Sequence, residues 1–128
     1  MNQTIQTSKA PKAIGPYSQA VLAEASKCLL YVSGQIPLSP ETGEMEAGDI
    51  SAQTRRVMEN VRGVVEAAGF RLADVVKSTI FLVDMGDFPK VNEVYAGYFA
   101  GNLPARATVA VAALPKGARV EIEVTCAR

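Results

Sequence analysis

The chain has 128 residues with 13 basic and 13 acidic side chains, so its formal net charge is zero, which speaks against a nucleic-acid binder that needs a basic surplus. The length fits a single domain over 1–128, and a composition of 48% hydrophobic and 20% charged residues can build a core without metal or disulfides. The absence of histidine removes every Ser-His-Asp and Cys-His mechanism and every imidazole metal ligand, and two distant cysteines, Cys28 and Cys126, are too few for structural zinc.

Met1 to Ala10 is polar and lacks an apolar h-region, so no secretory signal is expected. Ala20 to Ala25 is a weak strand candidate. Leu29 to Ser33 is a stronger one, β-branched and aromatic, stopped by Gly34. Pro37 to Gly43 is loop, punctuated by two prolines and a glycine. Asp49 is a good N-cap for a helix from Ile50 to Ala68, with Val57, Val61, Val64, Val65 and Ala68 on one stripe and Gly69 as the stop. Gly63 inside it costs about 1 kcal/mol against Ala and invites close packing. Val75 to Val83 is strongly β-prone. Asp87 caps a second helix with Pro89 in its first turn, an apolar stripe of Val91, Val94, Tyr95, Tyr98 and Phe99, and an end at Gly101-Asn102. Strands from Arg106 to Ala113 and Arg119 to Ala127 close the chain. One sheet with two helices on one face is the economical architecture. No run of about 18 apolar residues exists, so no membrane span is expected.

The last two strands alternate. Val109 and Val111 point one way, Arg106 and Thr108 the other; Val120, Ile122, Val124 and Cys126 share a face opposite Arg119, Glu121, Glu123 and Thr125. The polar face also carries small residues, Ala110 and Ala112 among them. Either another sheet packs on it, making a homo-oligomer, or water covers it.

Several residues are candidates for chemistry. Ser33-Gly34 at a strand end offers a hydroxyl and a backbone N–H, or is a plain turn. Gly43 to Gly48 has phosphate-loop spacing, but Asp49 stands where lysine is required. Arg106 is a natural carboxylate clamp, or one half of a surface ion pair. Without histidine a general base must be Glu, Asp, Lys or Tyr, which makes Glu121 and Glu123 eligible. Lys77 suits Schiff-base chemistry only if desolvated. Were the last two strands a hairpin around Pro115 to Gly117, Glu121 would sit opposite Ala112 and roughly 20 Å from Arg106. One small acid cannot bridge that gap, so either the strands are not paired that way or the two residues meet from different subunits or across a crossover; no site within one chain is expected.

The segments Ala13-Ile14-Gly15-Pro16-Tyr17-Ser18-Gln19-Ala20, Ser33-Gly34-Gln35-Ile36-Pro37, Pro104-Ala105-Arg106 and Val120-Glu121-Ile122-Glu123 occur in one ordered set, with Asp87-Phe88, Asn92, Tyr95 and Leu114-Pro115-Lys116 between them. In these the chain resembles the RidA/YjgF family of reactive-imine deaminases over essentially its whole length. The resemblance implies an α+β, chorismate-mutase-like single domain: one mixed β-sheet, two helices on one face, assembled as a homotrimer with a central β-barrel and sites between subunits. It implies hydrolysis of 2-aminoacrylate/2-iminopropanoate and 2-iminobutanoate to 2-keto acids and ammonia; the two distant cysteines separately make a cytoplasmic chain with reduced thiols the simplest reading. No metal, cofactor, nucleic acid or membrane is involved.

Position by position, the resemblance makes Arg106 the carboxylate grip and Glu121 the residue that activates water. Tyr17, Ser33 and Asn92 line the cleft, and Gly34 offers its backbone. Thr108 stands where many members carry cysteine, which leaves a backbone role open to it. The rival readings are a non-catalytic binder of 2-keto acids or similar metabolites, a ribonuclease or translation inhibitor, and a chaperone-like role through an exposed apolar patch.

Overall fold

The computed structural model describes residues 2–24 and 27–128. In chain order the elements are β1 (Asn2–Ile5), β2 (Ala20–Ala23), β3 (Leu29–Gln35), α1 (Ile50–Ala67), β4 (Val75–Leu82), α2 (Phe88–Ala96), β5 (Ala105–Ala110) and β6 (Val120–Ala127). Single 3₁₀ turns precede β4 and α2 and lie between β5 and β6. The first strand lay unread in the polar N-terminus. Ala25, the end of the predicted second segment, lies outside the described residues.

β1 and β2 form an antiparallel ribbon, and β3-β6-β4-β5 form a mixed sheet in that order. β4 and β5 run parallel, joined by the α2 crossover that parallel strands require. β6 lies between β3 and β4, antiparallel to both. The last two strands therefore do not pair as a hairpin, one of the alternatives that the distance between Glu121 and Arg106 left open. Val120, Ile122, Val124 and Cys126 are all buried. Such a strand stabilises most in the middle of the sheet, whereas the alanine-rich β5 suits an edge.

Both helices cover one sheet face. Val57, Met58, Val61 and Val65 of α1 are fully buried against it, each contributing about 1.5–3 kcal/mol. Val64 and Ala68, expected on the same stripe, are exposed. Asp49 Oδ1 accepts from the Ala52 N–H at 2.9 Å, as the capping pattern requires. Gly63 does not mediate close packing: nothing lies within 4 Å of where its Cβ would be. Gln53, buried in α1, donates to the Glu46 carbonyl and accepts from the Arg119 N–H, and Thr54 bonds back to the Ile50 carbonyl.

α2 is shorter than expected, ending at Ala96 with Gly97 as its C-cap. Asp87 makes no side-chain cap; its carboxylate instead takes both oxygens to Arg119 Nη2 at 3.0 and 3.1 Å. Val91 and Tyr95 bury fully, and the Tyr95 hydroxyl shares a 2.7 Å hydrogen bond with buried Ser78 of β4.

Candidate active site

The sheet register decides where the predicted residues point. Paired residues share a face: Arg106 pairs with Ser78, Thr108 with Ile80 and Ala110 with Leu82, and these three β4 partners are buried under the helices. Arg106 and Thr108 are therefore on the helix side, not on the face of Glu121. Glu121 pairs with Phe81, which pairs with Val109, on the open side. The two key side chains of one chain leave opposite faces of the sheet, two strands apart.

Arg106 sits at the start of edge strand β5, beside α2. Its Nη1 donates to Asn92 Oδ1 at 2.6 Å. Its guanidinium carbon lies 5.5, 5.4 and 5.2 Å from the ring centres of Tyr17, Phe88 and Tyr95. Burial pushes its pKa below the ordinary arginine value, with Tyr95 and Tyr17 opposing the shift. The group stays cationic at any physiological pH. Burial also raises the Tyr95 phenol, against the Ser78 hydrogen bond and the Arg106 charge. Among the described residues the ion pairs are Arg62–Glu59, Arg71–Asp74 and Arg119–Asp87. Arg106 enters none of them. A half-buried guanidinium with rings around it and no carboxylate partner has unused donors in a fixed fork.

Those donors face a cavity of about 250 Å³ lined by Ile14, Gly15, Tyr17, Asn92, Arg106 and Thr108, with Phe88 completing the wall. Ile14 is 93% exposed at its rim. The Thr108 Oγ1 is buried and has no hydrogen-bond partner among the described residues. The turn that carries Tyr17 is tied down locally. Gln19 holds the segment before it, accepting from the Thr7 N–H and donating to the Thr7, Ala10 and Pro11 carbonyls. Ser18 closes the other side: its N–H donates to the Pro104 carbonyl at 3.0 Å and its hydroxyl to the Leu103 carbonyl. This sets Tyr17 beside the residues that lead into Arg106.

The second group of predicted residues gathers elsewhere. β3 runs on through Gly34, where the sequence suggested a stop, and carries a bulge between Val32 and Gln35. The extra residue re-aims the chain locally. A Cβ on Gly34 would collide with the Glu121 carboxylate, so glycine is what lets that carboxylate lie against the strand. Ser33 is exposed beside it. Among the described residues the Glu121 carboxylate makes no hydrogen bond or ion pair. Glu123 is exposed on the same face, and so is Lys77, whose Nζ donates to the Thr79 hydroxyl.

The structure thus assembles Tyr17, Asn92, Arg106 and Thr108 in one place, and Ser33, Gly34 and Glu121 in another. Roles for Phe88 and Tyr95 were missed, since Tyr95 reads as core. Their signal was present: Phe88, Asn92 and Tyr95 fall at i, i+4 and i+7, one face of a short helix that mixes rings with an amide. Among the described residues no group of three or more His, Cys, Asp or Glu is placed to hold a metal.

Comparison with known proteins adds to this geometry. The family model described as Endoribonuclease L-PSP matches residues 7–128. The chain is 57% identical to Protein DfrA of Myxococcus xanthus over 94% of its length and 92% of that protein. It is 49% identical to the 2-iminobutanoate/2-iminopropanoate deaminase of Rattus norvegicus, over 96% of this chain and 88% of that one. Further relatives carry only RutC family names. The structure of E. coli TdcF with bound serine superposes with a TM-score of 0.76 at 42% identity, covering 98% of both chains.

Proposed function

The chain belongs to the Endoribonuclease L-PSP family, also called RidA/YjgF, and from that premise we propose that it hydrolyses small 2-imino acids to 2-keto acids and ammonia. The substrates are 2-aminoacrylate with its tautomer 2-iminopropanoate, and 2-iminobutanoate. The observation that carries this reading is the Arg106 guanidinium, desolvated among three rings, oriented by Asn92 and lacking a carboxylate of its own.

In this mechanism Arg106 takes the substrate carboxylate through paired N–H donors, which places the adjacent C=N carbon. Tyr17, Asn92 and Thr108 shape the pocket around it. Glu121 accepts a proton from water as the water oxygen adds to that carbon. Glu121 returns that proton to nitrogen, giving a neutral carbinolamine; it then takes the adduct's hydroxyl proton and passes it to the amine, so that the C–N bond breaks and ammonia leaves as the carbonyl forms. Ser33 and the Gly34 backbone border the carboxylate base. Imine hydrolysis needs no electron sink, so the reaction calls on no cofactor and no metal.

Because Arg106 and Glu121 leave opposite faces of one sheet, we assign the site to the junction of two copies. Glu121 of one chain meets Arg106 of the next, in a chorismate-mutase-like homotrimer with its sheets turned inward as a barrel. Leu29, Tyr31 and Val109 support this: they are large, apolar and exposed on the open face, Tyr31 at 73%. Two free thiols accord with the cytoplasm as its compartment. A neutral chain accords poorly with an RNA substrate.

The test generates 2-aminoacrylate from serine with a dehydratase and follows pyruvate. The chain accelerates its release, Arg106→Ala abolishes the acceleration and Glu121→Gln sharply reduces it. No acceleration at excess protein rejects the reading for this substrate. Mixing the two variants in equal amounts after denaturation and refolding restores about a quarter of the native activity if each site spans two copies. A site within one chain gives no recovery.

A further inference from the structure

A second cavity, of about 330 Å³, lies where the β1–β2 ribbon meets the end of the sheet, separate from the Arg106 pocket. Its polar lining carries both signs of charge and an unsatisfied acceptor. Asn2 Nδ2 donates to the Ala127 carbonyl at 2.9 Å, which fixes the amide. Its Oδ1 is buried and has no partner among the described residues. Asp74 is buried; one carboxylate oxygen accepts from the Arg71 N–H at 2.8 Å, and the other meets Arg71 Nη2 only at 3.7 Å. Arg71 and Arg128 line the same cavity. The Arg128 guanidinium lies over the Phe70 ring at 4.8 Å and enters no ion pair among the described residues. Val21 and Val75 supply an apolar wall.

A buried acceptor without a donor is costly to keep. Here it lies in one cavity with a buried carboxylate and two guanidiniums, one unpaired and one held only by a long, exposed contact worth little. An anion alone would leave Asn2 unsatisfied and meet Asp74. A cation alone would meet the two arginines. A small zwitterion satisfies all of them. We propose that this cavity binds a free α-amino acid. Its ammonium faces Asp74 and Asn2 Oδ1, its carboxylate faces Arg71 and Arg128, and a small aliphatic side chain lies against Val21 and Val75.

This site stands independently of the deaminase reading, and the experiment keeps the two apart. L-Alanine is titrated into ¹⁵N-labelled Arg106→Ala protein, in which the other carboxylate grip is gone. Saturable amide shifts at Ala73, Val75 and Ala127 are expected, with a dissociation constant of roughly 1 mM. Propionate and ethylamine, each carrying one charge, bind at least tenfold more weakly. Asp74→Asn, which keeps the acceptor for the Arg71 N–H, and Arg128→Met each weaken L-alanine at least tenfold. Asn2→Leu, at a ribbon end, gives the same loss and decides the matter should Asp74→Asn not fold. Absence of saturable shifts, equal binding of propionate, or undiminished binding in Arg128→Met and Asn2→Leu each overturn the proposal.

Discussion

The Glu121 carboxylate occupies the space in which a side chain on residue 34 would begin. The obstructing atoms are the far end of a flexible side chain, so a methyl group at 34 displaces the carboxylate rather than the backbone. Gly34→Ala is therefore expected to leave folding nearly intact, with a cost of about 0.5–1.5 kcal/mol for the strained rotamer. Turnover falls far more, about 100-fold in kcat, because an ångström of misplacement at a base is that costly. KM changes little, since the carboxylate grip at Arg106 is untouched. Thermal unfolding and steady-state kinetics on the variant check both halves. An equal loss of stability and rate would make Gly34 merely structural.

Ser18 ties the turn bearing Tyr17 to Leu103 and Pro104, three and two residues before Arg106. Ser18→Ala removes the hydroxyl bond and keeps the backbone one. It is expected to raise KM about tenfold, the equivalent of one hydrogen bond's net worth of about 1.5 kcal/mol, with kcat nearly unchanged. Ser18→Thr retains the hydroxyl and rescues KM. A matching fall in kcat, or failure of the threonine variant to rescue, would place Ser18 outside substrate positioning.

Glu59 accepts from Arg62 Nη2 and from the Tyr98 hydroxyl, the latter at 2.7 Å. These hydrogen bonds, Arg62 first, hold its pKa below the ordinary 4.5. A depressed folded-state pKa contributes stability that is fully present above the unfolded value and is lost as pH falls through the folded one. Glu59→Gln is thus expected to melt lower than the native chain at pH 7. The two melting temperatures converge as pH drops below about 4. Constant separation across that range would show that the carboxylate charge does not matter.

Cys126 is fully buried in β6, and burial, aided by the Asp74 charge, pushes its thiol up to about 11. Cys28 is exposed. At pH 8 an aromatic disulfide reagent is expected to titrate one thiol per native chain and two after denaturation. Two fast thiols in the native protein would mean that the end of β6 opens readily.

Local order was legible from the residues because it is set by local chemistry. Asp49 caps α1 through its own side chain, Val57, Val61 and Val65 turn inward at helical spacing, and β4 is read from a β-branched run. Boundaries shifted where a distant partner outbid the local one. Asp87 turned to Arg119 instead of capping α2, and Gly34 stayed in its strand because Glu121 lies over it.

Strand order could not be read at all. Alternation tells which residues of a strand share a face, but not which strand lies beside it, so β6 entered the middle of the sheet unannounced. That insertion decides the rest. It parts β5 from β6, lets the parallel pairing with β4 turn Arg106 toward α2, and leaves Glu121 on the open face. The amino-acid sequence by itself determined the family, the residue types of the candidate site and the expectation that no one chain completes it. Only tertiary structure decided which face each residue takes, because a face is a property of pairing register, and register is settled by burial across strands far apart in the chain.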